Sequence, residues 1–353
     1  MHHAFFKSKR CLICLLLFYS ISSSLCLAQV KEERFYQATI AFYNLENLFD
    51  TYNDSTIDDE EFLPESEKKW VMDKYKDKLE KLSTVIEKLG DEDGPEILGI
   101  SEIENRNVVA DLIETDKLIS RGYGIAHIES PDRRGIDVGL IYKKKFFTPI
   151  SISAVQVIDT TDLEFKTRNL LVVTGELSND TITFIVNHWP SRRGGGKDDK
   201  RILAAKTARK VIDSLMKANP KSKIILMGDF NDDPTDESIF NHLNAKPEKK
   251  LKSPITLFNP MYSIFKNGYG SLSYQGTWNL FDQIIISQPL LHNENSKYFY
   301  MANSANIFYK KWLINEDGRN AGTPFRTWAG STYLGGYSDH LPVYLYLLQK
   351  VKD

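Results

Sequence analysis

Cysteine is confined to the first 26 of the 353 residues, at positions 11, 14 and 26. Everything after Cys26 lacks a thiol, which excludes a cysteine nucleophile, a thiolate metal ligand and a disulfide from that region. Net charge is nearly absent as well, since 45 Lys and Arg stand against 47 Asp and Glu. Such a chain has no global field that gathers polyanions, so any polyanion must be held by a local patch or a bound cation. The sequence has no Gly/Ser linker, no repeat and no low-complexity segment. Its apolar run at 11–19 is too short to span a bilayer.

That run has meaning in context. Lys7, Lys9 and Arg10 precede it, serines follow, and Cys26-Leu27-Ala28 closes the stretch. A charged start, a short apolar centre and small residues at the end predict a signal peptide, residues 1–28, cut after Ala28. Lipidation at Cys26 is the alternative, and bulky Leu25 just before it fits that poorly. Cleavage removes all three cysteines and three basic residues, moving the net charge from −2 to −5. The mature chain, 29–353, is then a secreted or periplasmic protein. Its roughly 325 residues suit one large domain.

The stretch Ile224-Ile225-Leu226-Met227-Gly228-Asp229-Phe230-Asn231-Asp232-Asp233-Pro234 organises the rest. Four apolar residues predict a buried strand, with Gly228 letting the chain leave it. Asp229 and Asn231 then arrive where the strand end opens to solvent. An ordinary turn explains these residue types equally well in isolation.

Strands are predicted over Ala38–Tyr43, Ile97–Ile100, Tyr123–Ile128, Ile136–Tyr142, Ile150–Ile158, Asn169–Leu177, Thr181–Asn187, Asp282–Ser287 and Pro342–Leu347. Lys297–Trp312 adds two more. Helices are predicted over Lys68–Leu89 with Gly90 as its cap, Asn107–Leu118, Lys200–Met216 and Thr235–Leu243. Asn244–Tyr274 is the least readable segment, and Asn315–Tyr337 reads as a long loop. Ile182, Phe184, Val186 and His188 share one strand face, so His188 continues a core face to its end. Asp282 does the same beside Ile284 and Ile286. Local pairing of neighbouring strands predicts an α+β fold: two mostly antiparallel sheets packed face to face, with helices outside.

Six strand-end segments therefore carry polar residues that a core has no use for: Asn44, Glu102, His188, Asp229 with Asn231, Asp282, and Asp339 with His340. Their order and wording resemble the endonuclease/exonuclease/phosphatase superfamily of metal-dependent phosphoesterases. The pieces are Tyr43-Asn44, Ser101-Glu102-Ile103, Asn187-His188-Trp189-Pro190, Gly228-Asp229-Phe230-Asn231, Asp282-Gln283-Ile284 and Ser338-Asp339-His340-Leu341-Pro342-Val343. The resemblance implies a four-layer α/β sandwich and hydrolysis of phosphodiester bonds.

Phosphodiester hydrolysis needs charge neutralised and a water positioned. Hard oxygen donors without thiolates suit Mg²⁺, or else Mn²⁺ or Ca²⁺. On the resemblance, Glu102 is the main metal ligand, Asn44 lies beside the metal or the phosphate, and Asp339 lies on the metal side. Asp229 orients or deprotonates water, Asn231 holds a phosphate oxygen, and His340 faces the phosphate with Asp282 on its other nitrogen. His188 resembles the second histidine of the deoxyribonuclease-like and sphingomyelinase-like branches. Which histidine protonates the leaving group stays open.

Two Arg-rich loops, carrying Arg134 and then Arg192 with Arg193, are candidate clamps for substrate phosphates. A solvated basic loop is the bland alternative. Leu280-Phe281 before Asp282, Gln283 after it, and Ser101 before Glu102 depart from the family pattern, and these departures leave the substrate class open. Nucleic acid is the substrate favoured by the paired histidines and the Arg-rich loops. A phospholipid headgroup, or a sugar or inositol phosphate, is the rival, and a non-catalytic binding protein is the rival of another class. The complete polar set speaks against the last.

Overall fold

The structure is a computed structural model that describes residues 33–90, 93–192, 198–250, 253–274, 276–292, 297–318 and 320–351. The predicted signal peptide and Arg193 lie outside them. Chain contacts divide the protein into Met1–Glu33 and Arg34–Asp353, and the second unit is the one analysed. Among the described residues no helix is long and apolar enough to cross a membrane.

The first half runs β1 (Phe35–Leu48), α1 (Met72–Lys88), β2 (Ile97–Ile103), α2 (Arg106–Ile113), β3 (Tyr123–His127), β4 (Asp137–Lys143), β5 (Phe147–Val155), β6 (Leu170–Leu177) and β7 (Asp180–His188). Then come α3 (Asp198–Ala218), β8 (Lys223–Asp229), β9 (Ala245–Lys246), β10 (Leu257–Phe258) and α4 (Tyr262–Lys266). The chain continues with β11 (Leu272–Tyr274), β12 (Thr277–Asn279), β13 (Asp282–Ile286), β14 (Phe299–Tyr300) and β15 (Asn306–Ile307). It ends with β16 (Trp328–Ala329), β17 (Thr332–Tyr333) and β18 (Val343–Lys350).

One sheet has the order β14-β18-β1-β2-β4-β3, with β15 also on β18; the other is β5-β6-β7-β8-β13-β10-β9. Most pairings are antiparallel, and β1–β2, β7–β8 and β9–β10 are parallel. Three apolar layers follow from strand alternation. Ile40, Phe42, Val186, Ile225, Met227, Ile284 and Val343 fill the space between the sheets. Leu98 and Ile100 face the opposite way, against Leu82 and Ile86 of α1 and Val109 of α2. Ile185 and Leu226 pack against Ala204, Ala208 and Ile212 of α3. The order is helices, sheet, sheet, helix, a four-layer α+β sandwich as the sequence predicts.

Several local expectations change. The helix predicted from Lys68 begins at Met72, because Trp70 is wholly buried with its Nε1–H donating to the Phe49 carbonyl (3.0 Å) and Lys69 takes a left-handed φ of 47°. Only Ser238–His242 of the predicted 235–243 helix is helical. The expected loop 315–337 contains the β16–β17 hairpin. Gly228 is not an exit from its strand but a member of it, paired with Asn187. A methyl group there would lie 2.3 Å from the Asn187 carbonyl oxygen.

Gly228→Ala therefore forces β7 and β8 apart one residue before His188 and Asp229. Urea unfolding should show a loss of about 1–3 kcal/mol. An unchanged midpoint would show that the strands absorb the methyl group.

Candidate active site

The apolar stripe between the sheets turns polar at one common end. On β1 it passes from Phe42 to Asn44, on β7 from Val186 to His188, and on β8 from Met227 to Asp229. On β13, which runs the other way, Ile284 gives way to Asp282. Register makes these side chains neighbours: Asp229 is paired with His188 on one side and Asp282 on the other. Asn44 reaches across from the other sheet, its Nδ2 donating to Asp229 Oδ2 (3.0 Å) and Glu102 Oε1 (3.2 Å).

Glu102 needs an irregularity to take part. Strict alternation would place it with Leu98 and Ile100 on the helix side. Instead the β1–β2 register shifts between Asn44 and Leu48, the β2–β4 register shifts between Ser101 and Ile103, and Glu102 adopts φ 59°. Bulges re-aim side chains in this way. Glu102 Oε2 accepts the Asn47 N–H (3.0 Å), and Asn44 Oδ1 accepts the Glu46 N–H (2.9 Å). Asn44 thus turns its nitrogen, not its oxygen, toward Glu102.

Beyond β8, Asn231 turns back at φ 50°, with its N–H on Asp229 Oδ1 (2.9 Å) and its Nδ2 on the Trp189 carbonyl (2.9 Å). His340 Nδ1 lies 2.7 Å from Asp282 Oδ2, and its Nε2 is 3.8 Å from Asp229 and 3.9 Å from Asp339. Ser338 fixes this corner: its hydroxyl donates to the Asn44 carbonyl (2.7 Å) and accepts the His340 N–H (3.1 Å). Asp339 itself is drawn to Arg326 (3.0 Å).

Among the described residues, Glu102, His188 and Asp229 present ligand atoms within 4.8 Å of one another, and so do Asp229, Asp282 and His340. Asp229 belongs to both groups; Asp339 belongs to neither. Carboxylate oxygens of Glu102 and Asp229 converge beside the His188 imidazole, a donor set that fits a hard cation next to Glu102.

Electrostatics separates the two histidines. Burial pulls the His188 imidazole well below its ordinary value, and Arg168, Arg134 and His340 push the same way, so it is neutral. Burial opposes charge on His340 too, but the carboxylates of Asp282, Asp229 and Asp339 outweigh it and raise its pKa well above the ordinary value. Asp229 is raised from 3.8 to about 7, by burial above all and by Asp282 and Glu102, against the pull of His340.

Several contributors carry no local signal in the sequence. Arg168 is buried and binds the carbonyls of His188 (3.1 Å) and Trp189 (2.6 Å) while pairing with Asp132 (2.9 Å). Ser271, from the unreadable segment, donates to Asp282 (2.5 Å). Glu46 accepts the N–H groups of Thr327 (2.6 Å) and Trp328 (3.2 Å), anchoring the segment that bears Arg326. The departure at Gln283 has a packing reason: wholly buried, it bonds Asn259 and the carbonyls of Asp232 and Leu280. For Ser101, buried with an unpartnered hydroxyl, the structure offers no such reason. Of the proposed clamps, Arg134 and Arg192 both line the cleft above the site, which holds about 1020 Å³. Arg192 is braced by Asp232 (3.0 Å) and sits over the Phe281 ring (4.6 Å).

A face-to-face two-sheet sandwich whose paired ends assemble carboxylates, an Asn and an Asp–His pair defines a class of hydrolytic phosphoesterases. A sequence model of the Endonuclease/Exonuclease/phosphatase family matches residues 39–349, and the chain belongs to that family. Among solved structures it is similar to D. rerio TDP2 humanized by 14 mutations, at 14% identity and TM-score 0.53, over 88% of this chain and 98% of that one. D. rerio TDP2 complexed with single strand DNA product gives the same values. An endonuclease/exonuclease/phosphatase family protein from Bacteroides thetaiotaomicron follows, at 15% identity and TM-score 0.50, over 91% and 98%. At such identities the likeness is one of fold. No curated protein matches.

Between pH 3.8 and about 7 the metal-free native state keeps a proton on Asp229 that the unfolded chain has released. Its stability therefore falls as pH rises across that window. Asp229→Asn removes this penalty, so urea unfolding with chelator should show the variant gaining on the wild type from about pH 4.5 to about pH 7.5. Parallel pH profiles would contradict the shift.

Proposed function

We propose that the chain is an exported, divalent-metal-dependent phosphoesterase that hydrolyses phosphodiester bonds of DNA or RNA, with Mg²⁺ as the favoured ion. The observation that carries this reading is the sharing of Asp229 between a Glu102-centred group and the Asp282–His340 pair. A bound ion neutralises phosphate charge as a Lewis acid. Glu102 would hold it, Asn44 steadies Glu102 through its Nδ2 (3.2 Å), and Asp339, paired with Arg326, lines the same cleft.

Asp229, whose pKa in the metal-free protein is raised to about 7, is the group placed to take the proton of the attacking water. Among the described residues the Asn231 side chain bonds only the Trp189 carbonyl, which leaves its amide oxygen and one N–H to set against water or phosphate. The water oxygen bonds to phosphorus as the ester oxygen leaves. Of the two histidines only His340 is cationic and so a ready proton donor, and Asp282 keeps its imidazolium oriented. Neutral His188 closes the other side of Asp229.

The nucleic-acid reading draws on the likeness to TDP2 holding a DNA product, and on Arg134 and Arg192 at the cleft. A second reading is favoured by the cleft itself. Among the described residues its lining has seven carboxylates against four Lys or Arg side chains and the two site histidines, and each of the four already meets an acid: Lys68 with Glu61, Arg134 with Asp132, Arg192 with Asp232, Arg326 with Asp339. That is no continuous basic track among the described residues. It suits a substrate with one or two phosphates, such as a short strand end, a sugar or inositol phosphate, or a headgroup.

Plasmid DNA, single-stranded DNA, RNA, sphingomyelin and inositol phosphates assayed side by side with and without chelator separate these readings. Nucleic-acid cleavage that disappears with chelator supports the first; release of a headgroup or inositol phosphate without DNA nicking supports the second. In either case His340→Ala should lower kcat/KM at least about 100-fold. Activity unchanged by that substitution would overturn the mechanism.

A further inference from the structure

The hairpin of β3 and β4 gathers donor atoms that the active site does not use. Its register pairs His127 with Gly139, and the same register carried two residues further sets Glu129 across from Asp137. His127 and Glu129, two apart on an extended chain, then share a face with Asp137. Each of the three presents a ligand atom within 4.8 Å of the others, in a group that shares no residue with the two groups at the active site. Carboxylates directly opposite each other on neighbouring strands repel. Among the described residues no Lys or Arg pairs with either one, and His127 is the basic group that both meet.

The imidazole supplies a second observation. Its side chain is 3% exposed, and its Nε2 lies 2.9 Å from Asp137 Oδ2. Asp137 is itself buried, and its other carboxylate oxygen accepts the Ser130 N–H (2.9 Å) and the Ser130 hydroxyl. A carboxylate fixed in this way keeps the ring proton on Nε2, which leaves a lone pair on Nδ1. Among the described residues Nδ1 makes no hydrogen bond, and it faces Glu129 Oε1 at 3.8 Å, too far for one. An ion with bonds of about 2.0–2.2 Å to nitrogen and oxygen spans that distance. We propose that His127 Nδ1 and Glu129 Oε1 hold a divalent ion of the zinc type, with Asp137 orienting the imidazole from behind.

Metal-bound histidines ordinarily give their other ring N–H to a carboxylate, the part Asp137 plays here. An imidazole beside a carboxylate suits Zn²⁺, whereas Mg²⁺ and Ca²⁺ take oxygen, so this site and the one at Glu102 select different ions. Two protein ligands leave the remaining positions to water. The ion has a structural consequence. Residues 128–136 join β3 to β4 and carry Arg134 to the cleft. A metal at the base of that loop ties its two ends together without touching the reacting groups.

The test is nitrogen-15 NMR of the imidazole rings in the full chain, titrated with ZnCl₂ after chelation in a Glu102→Gln background that removes the main ligand of the catalytic ion. Zinc should shift the His127 Nδ1 resonance, and MgCl₂ should leave it in place. The Glu129 side chain is 68% exposed, so Glu129→Gln leaves the fold intact. Added to that background, it should raise the zinc concentration at half-saturation of the His127 shift at least about 10-fold, the least that losing an outer partner of a metal ligand costs. A His127 ring that zinc does not move, one that magnesium moves as readily, or a midpoint indifferent to Glu129→Gln overturns the proposal. None of these results bears on whether Glu102 holds a catalytic ion.

Discussion

Asp229 is a carboxylate that the fold removes from water and surrounds with other acids. It sits between His188 and Asp282 on one sheet and under Asn44 from the other, 2% exposed. Burying a charge in this way is costly unless a proton, a cation or a hydrogen-bond donor compensates it. Much of the surrounding structure supplies that compensation. Asn44 gives an amide hydrogen, Asn231 gives a backbone N–H, and His340 gives a positive charge that Asp282 sustains. The same tension that raises the Asp229 pKa makes it a base suited to neutral pH, so the energetic burden and the chemistry have one origin.

The geometry comes from an end effect of the sandwich. Alternation builds an apolar layer between the sheets, and where the strands run out, that same face holds polar groups from both sheets a few ångströms apart. Glu102 is the exception, since alternation alone would have sent it toward the helices. Paired bulges in β1 and β2 bring it in, with a left-handed φ as the local cost. Arg168 works from below on the backbone of His188 and Trp189, so one buried guanidinium steadies two positions of the site.

Much of this was legible in the sequence, for reasons that are local. His188 after Ile182, Phe184 and Val186, and Asp282 before Ile284 and Ile286, announce themselves as polar ends of apolar stripes. The two-sheet arrangement followed from the same periodicity. What was not legible depends on distance along the chain. Nothing near Glu46 says that it caps Thr327 and Trp328, and nothing near Arg168 says that Asp132 will neutralise it. Nothing near Lys78 sets it apart from the other helix lysines, yet it is wholly buried and donates to Thr327 Oγ1 (2.6 Å) and the Tyr337 carbonyl (2.8 Å). Arg192 looked like a free phosphate clamp because Asp232, which occupies it, lies 40 residues away, whereas Arg134 meets Asp132 of its own loop.

The central claim is a division of charge: His340 cationic and His188 neutral on either side of Asp229. Nitrogen-15 NMR of the imidazole rings in the metal-free protein at neutral pH measures it directly. Two protonated nitrogens on His340 and one on His188 is the predicted result. A neutral His340, or a pair of rings titrating alike near the ordinary histidine value, would contradict the account.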